Sequence, residues 1–108
     1  MPLVHTRGFR SLVRRADHFK NHGPRLLIAT EAGYEEFADW FLGQPLSSAL
    51  RQFTRPWNGD IVRYDEASDV FAILGNDGFI KTCYRPDPFF HGAATNLEYY
   101  LEEEQMAT

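Results

Sequence analysis

The sequence predicts an α+β fold: two N-terminal helices packed on an antiparallel β-meander sheet, followed by a short C-terminal helix. Three observations carry this. Helical periodicity runs through residues 9–22 and 31–42, strand-like runs joined by tight turns fill residues 60–85, and a capping signal opens a last helix near residue 95. The 108 residues contain no internal repeat, low-complexity tract or linker, so residues 1–108 read as a single domain.

The first helix is predicted over 9–22, FRSLVRRADHFKNH, with Phe9, Leu12, Val13, Ala16 and Phe19 as its buried stripe and Gly23-Pro24 as its stop. The second covers 31–42, EAGYEEFADWFL. Thr30 is a fitting N-cap, acids fill the first turn, and Tyr34, Phe37, Ala38, Phe41 and Leu42 make the buried stripe. The segment 43–58, GQPLSSALRQFTRPWN, is compatible with a short helical turn or with a first strand. Strands then follow at 60–65, 69–74 and 79–85, joined by the turns DEAS and GNDG. Asp77-Gly78 is a strong hairpin signal because both residue types tolerate positive φ. Pro86 and Pro88 end the sheet. Thr95 and Glu98 fit a capping box ahead of a helix over about 96–105, whose acids Glu102 to Glu104 oppose the helix dipole and predict fraying or a basic partner surface.

Hydrophobic residues at 44% and aromatics at 15% supply material for one core, which excludes a disordered chain. The lone cysteine, Cys83, excludes an internal disulfide and a cysteine zinc cluster, and it suits a reducing compartment. No apolar run reaches the length of a membrane span and no signal-peptide core is present, so the expectation is a cytoplasmic protein with no membrane partner. Net charge is −4, but residues 1–30 hold six basic residues against the single acid Asp17, leaving five basic residues and fourteen acids beyond. That first third forms a local positive patch able to steer an anion.

His18 and His22, four apart on one helix face, have the spacing of two metal ligands, but no third ligand adjoins them in sequence. Cys83 alternates with Lys81 and Arg85, cations that would lower a thiol pKa, yet nothing resembling a nucleophile elbow surrounds it. GNDG does not precede a helix and is no phosphate loop. The remaining polar constellation suits RNA cleavage without metal or cofactor. A 2′-hydroxyl attacks the adjacent phosphorus, imidazoles move the protons, and cations stabilise the phosphorane. The candidate catalytic residues are His18, Lys81, Thr82 and His91; Arg63, Arg85, Asn96, Tyr99 and His22 are candidates for substrate binding. Each also has a structural reading: core histidine, sheet-face charge, or helix-start asparagine. Strand alternation puts Lys81, Cys83 and Arg85 on one face and Ile80, Thr82 and Tyr84 on the other. Thr82 is expected to face the N-terminal helices and meet His18, with Lys81 brought in by a bulge or twist.

DHFKNHG, TEAGYEEFADWFL, GDIVRYDEASDVFAILGNDGFIKTCYRP and HGAATNLEYY, in that order across residues 16–100, resemble the small nuclease toxin domains of the barnase–EndoU–colicin–RelE group. The resemblance implies a metal-independent endoribonuclease toxin, with tRNA the expected substrate and a protein antitoxin or immunity partner that neutralises it. It implies that His18 is the helix histidine, Thr82 the strand hydroxyl and Lys81 or Arg85 the cation, with His91 a looser match. An acidic partner would dock on the basic patch of residues 7–25. Met1 at the start suggests a stand-alone protein. The alternative is a non-catalytic interaction module, such as a phage-encoded inhibitor binding a host protein through the acidic LEEEQ tail and Trp57, Phe89 and Phe90.

Overall fold

A computed structural model describes residues 3–107. In chain order it contains α1 (Leu12–His22), a 3-10 turn (Pro24–Leu26), α2 (Glu31–Gly43), β1 (Leu50–Thr54), β2 (Ile61–Asp65), β3 (Val70–Leu74), β4 (Ile80–Tyr84), α3 (Pro88–His91) and α4 (Asn96–Met106). The four strands form one antiparallel meander in the order β1-β2-β3-β4. The open segment of the sequence resolves as β1, which pairs residue for residue with β2 from Leu50 opposite Asp65 to Thr54 opposite Ile61. The fold is α+β, with the N-terminal helices, the antiparallel sheet and the short C-terminal helix in the expected order.

Two apolar clusters sandwich the sheet. On one face Tyr34, Ala38, Phe41 and Leu42 of α2 pack with Phe9, Leu50, Val70, Ala72, Ile80 and Cys83. On the other, Tyr100 of α4 packs with Val62, Tyr64 and Phe71. The α2 stripe is the one the periodicity predicts, and Thr30 caps it by accepting from the Gly33 amide at 3.0 Å. Thr95 caps α4 through the Glu98 amide at 3.1 Å. Two of the three acids at the far end of α4 find partners inside the molecule: Glu103 pairs with Arg55 at 3.7 Å and Glu104 accepts from the Tyr100 hydroxyl at 3.1 Å.

The first helix departs from expectation. Leu12 and Val13 are 70% and 79% exposed, and Ala16 is exposed, so the middle of the predicted stripe points to solvent, while Phe9 and Phe19 pack on the core as expected. The face turned inward carries Arg15, His18, Phe19 and His22. Its partner is not a broad apolar sheet face. Here α1 lies beside β4, the last strand of the sheet, where half-polar side chains fit a boundary between core and water.

Residues 4–9 cover part of that edge. The Ile80 amide donates to the Gly8 carbonyl and the Arg7 amide to the Gly78 carbonyl, both at 2.7 Å, and Phe9 forms a parallel bridge with Ile80. A paired edge cannot template association with another chain. The segment is held by Asp39, a buried carboxylate on α2 that accepts from the Val4, His5 and Thr6 amides and the Thr6 hydroxyl. Gly78 closes the β3–β4 turn at φ 87°, the left-handed conformation that the Asp-Gly signal anticipates.

A bulge sits in β4. Ile73 pairs with Thr82 and Leu74 with Ile80, which leaves Lys81 unmatched. The bulge shifts the side-chain phase by one residue. Ile80 and Cys83 both join the α2 cluster, while Thr82 and Tyr84 sit opposite Ile73 and Phe71 on the α4 side. The simple alternation expected from the sequence, with Cys83 beside Lys81 and Ile80 beside Thr82, is therefore corrected.

Candidate active site

The groove between α1 and β4 brings together the central pair of the sequence expectation. Thr82 Oγ1 lies 3.4 Å from His18 Nδ1. Because the bulge turns Thr82 to the α4 side, the pair meets where α1 flanks the strand, and not within the helix-packed core. His18 stacks on Phe9 at 5.4 Å between ring centroids, and His22 follows at 5.6 Å. His22 in turn meets the Tyr84 ring at 5.0 Å. The helical spacing of His18 and His22 and the two-residue spacing of Thr82 and Tyr84 thus match across the groove.

Burial lowers the pKa of both histidines. For His18, Asp17 opposes the shift and Arg14 adds to it; for His22, neighbouring His18 and Arg25 add to it against Asp17. Both imidazoles are therefore mostly neutral at pH 7 and able to accept a proton. Burial raises the pKa of Tyr84, helped by the Tyr99 hydroxyl and Glu103, so its phenol stays protonated.

Cationic side chains flank the pair. Toward the start of α1, Arg10, Arg14 and Lys81 line a cavity of about 290 Å³ together with Phe9, Phe79, Ile80 and Asp77. Arg7 and Arg10 both stack over the Phe79 ring, and Arg10 is ion-paired with Asp77. Lys81 leans on the buried carboxylate of Asp60, with Nζ 2.5 Å from Oδ2, and remains half exposed. Beyond the end of α1, Arg25 and Arg85 line a second cleft with His22 and Tyr84. Spacings of three and four residues from Arg14 through His18 and His22 to Arg25 could have revealed this line in the sequence.

The other candidates are placed differently. Arg63 is 6% exposed on the α2 side of the sheet, where it donates to the Phe41 and Gln44 carbonyls and to Gln52 Oε1. It closes the C-terminus of α2, and its expected role in substrate binding is corrected to a structural one. Arg85 lines the second cleft while its Nε and Nη1 hold the Ser68 and Arg25 carbonyls. His91 Nδ1 accepts from the Ala93 amide at 3.1 Å, which assigns the proton to Nε2, 2.8 Å from Asn96 Oδ1. Asn96 is buried and donates onward to the Pro86 carbonyl at 2.8 Å. Tyr99 stacks on His91 at 4.4 Å. His91, Asn96 and Tyr99 thus form a separate, internally bonded cluster that anchors α3 to α4. It touches the groove through Tyr99 and Tyr84.

Cys83 is fully buried and burial raises its thiol pKa, so the flanking cations do not activate it. Among the described residues no group of three or more His, Cys, Asp or Glu side chains converges as a metal site. No helix among them is long and apolar enough to cross a membrane. The sequence matches no protein-family model and no curated protein.

Proposed function

We propose that the protein is a metal-independent endoribonuclease whose reaction centre is the α1–β4 groove. The observation that supports this best is the approach of His18 to Thr82 beside a second imidazole, His22, between two clusters of cations. In this reading the His18 Nδ1 proton is donated to Thr82 Oγ1, which fixes the ring and leaves Nε2 as the base. Nε2 takes the proton of a ribose 2′-hydroxyl as the 2′-oxygen bonds to phosphorus. The bond from phosphorus to the 5′-oxygen breaks, and His22 in its protonated form, a minority at pH 7 that grows as the pH falls, returns a proton to the leaving oxygen. Lys81 and Arg14 stabilise the charge that builds on the phosphoryl oxygens. The products are a 2′,3′-cyclic phosphate and a free 5′-hydroxyl.

Resemblance to nuclease toxins points to tRNA as the substrate, to action in the cytoplasm, and to an acidic protein that neutralises the activity by covering residues 7–25. Incubation with total tRNA in EDTA is expected to give fragments with cyclic-phosphate ends, and His18→Ala to stop their formation. Intact tRNA, or equal cleavage by His18→Ala, refutes the reading.

One observation favours a second reading, a catalytically silent interaction module: the candidate catalytic cation Lys81 is already held by Asp60. Growth arrest on expression separates the two. Arrest relieved by His18→Ala and Thr82→Ala supports catalysis, and arrest indifferent to both supports binding.

A further inference from the structure

The cleft beyond the C-terminal end of α1 has a composition that folding alone does not explain. It encloses about 280 Å³ between Asn21, His22, Arg25, Tyr84, Arg85, Asp87 and Phe90. Phe90 is 83% exposed and its neighbour Phe89 is 85% exposed. The two rings stand edge to face at 5.3 Å. α3, which carries them, is fixed at both ends: Asp87 caps it through the Phe89 amide at 3.0 Å, and Gly92 ends it at φ 81°. The phenyl pair is therefore held outward by an ordered turn. Guanidinium groups stand next to it. Arg25 is pinned by Asp87 at 3.1 Å, and Arg85 by the Ser68 and Arg25 carbonyls, so both charges are positioned before any ligand arrives. An apolar partner surface would gain nothing from two fixed cations at its rim. A flat aromatic ligand that carries a phosphate uses both features.

We infer that this cleft is a nucleotide subsite. The base of one unpaired nucleotide stacks on Phe90, and its phosphate lies against Arg25 and Arg85. The inference rests on the ribonuclease reading for its place in the reaction. His22 lines the cleft and touches His18, so the stacked nucleotide would neighbour the scissile phosphate. The substrate is then single-stranded at this position, because a base within a duplex has no free face to offer.

The test uses the full chain and two probes, adenosine 5′-monophosphate and ribose 5-phosphate. In Phe90→Trp the emission added by the substitution is expected to be quenched by the mononucleotide and left unchanged by the sugar phosphate. In Phe90→Ala, KM for a single-stranded RNA is expected to rise about tenfold with kcat held, as loss of one stacked base predicts. An unquenched Phe90→Trp together with an unchanged KM in Phe90→Ala overturns the subsite, even if RNA is still cut, and leaves the phenyl pair to a protein partner. Quenching by the mononucleotide in a protein that cuts no RNA sustains the subsite and refutes the nuclease reading alone.

Discussion

Replacing Arg63 by Ala separates a structural arginine from a substrate-binding one. The side chain donates to the Phe41 carbonyl at 3.1 Å, the Gln44 carbonyl at 2.6 Å and Gln52 Oε1 at 2.6 and 3.0 Å. Truncation strips the donor from two carbonyls at the end of α2, that of buried Phe41 and that of half-buried Gln44, and from the amide oxygen of half-buried Gln52. A buried polar group without a partner costs about 1–3 kcal/mol. Solvent can rescue part of this through the void left by the side chain, so the net loss is about 4 kcal/mol, a large share of the ~5–15 kcal/mol that holds a domain of this size. With a urea m-value of about 2 kcal/mol/M, the unfolding midpoint should fall by about 2 M. Equilibrium urea unfolding followed by tryptophan emission measures the shift. RNA cleavage per folded molecule should stay within about twofold of the parent. A midpoint that hardly moves, or a stable variant that has lost cleavage, refutes the assignment and returns Arg63 to the substrate.

The remaining predictions concern the groove and the N-terminal anchor. His18→Ala should lower kcat about 10²- to 10⁴-fold, the usual contribution of a positioned base, with thermal unfolding showing that the fold is kept. Thr82→Val should lower kcat about tenfold and stability by less than about 1 kcal/mol, because it removes the hydroxyl and keeps the β-branched shape. The pH dependence of kcat/KM should be bell-shaped with its maximum below pH 6.5, since the base and the acid both titrate below the ordinary histidine value. The same shifts have a consequence for stability. Below about pH 6.5 the unfolded chain binds protons that the folded chain refuses, so stability should fall as pH drops from there through the lowered folded values, and His18→Gln should flatten that slope in acid unfolding. At Asp39, burial pushes the carboxyl up, but the hydrogen bonds from Val4, Thr6 and His5 outweigh it and leave the pKa below the usual range. Its stabilisation is complete above the unfolded value near 3.9 and is lost as pH falls through the lowered folded one; Asp39→Ala should therefore cost about 3 kcal/mol at pH 7 in urea unfolding and leave a shallower acid transition.

The sequence disclosed what local chemistry decides. Thr30 and Thr95 announce their helices because a hydroxyl must satisfy the first free amides, and Asp77-Gly78 announces its hairpin because few residue pairs accept that turn. The α2 stripe was legible because one broad apolar face packs on one sheet. On α1 the same counting failed. Leu12 and Val13 form the more hydrophobic side, yet the helix lies beside a strand edge, where His18, Phe19 and His22 fit better. The meeting of His18 and Thr82 was expected, and a bulge was invoked to bring in Lys81; the bulge does fall at Lys81, but its effect is to turn Thr82 to the α4 side, a change of phase that composition does not reveal. Arg63 and Asp39 were opaque for a common reason. Each answers backbone groups distant in sequence, the end of α2 for one and residues 4–6 for the other, and nothing in the local sequence says that those groups come near. His91 and Asn96 look like solvent-facing loop and helix-start residues until the chain folds them onto each other.

His18 and Thr82 lie 64 residues apart, one on the first helix and the other on the last strand. Almost all of the sheet must exist before they meet, because the position of β4 is set by β3, that of β3 by β2, and that of the helix edge by Phe9 on β4. A chain still leaving the ribosome would hold the histidine long before it held the threonine. Nothing that depends on the pair can begin until synthesis has passed β4.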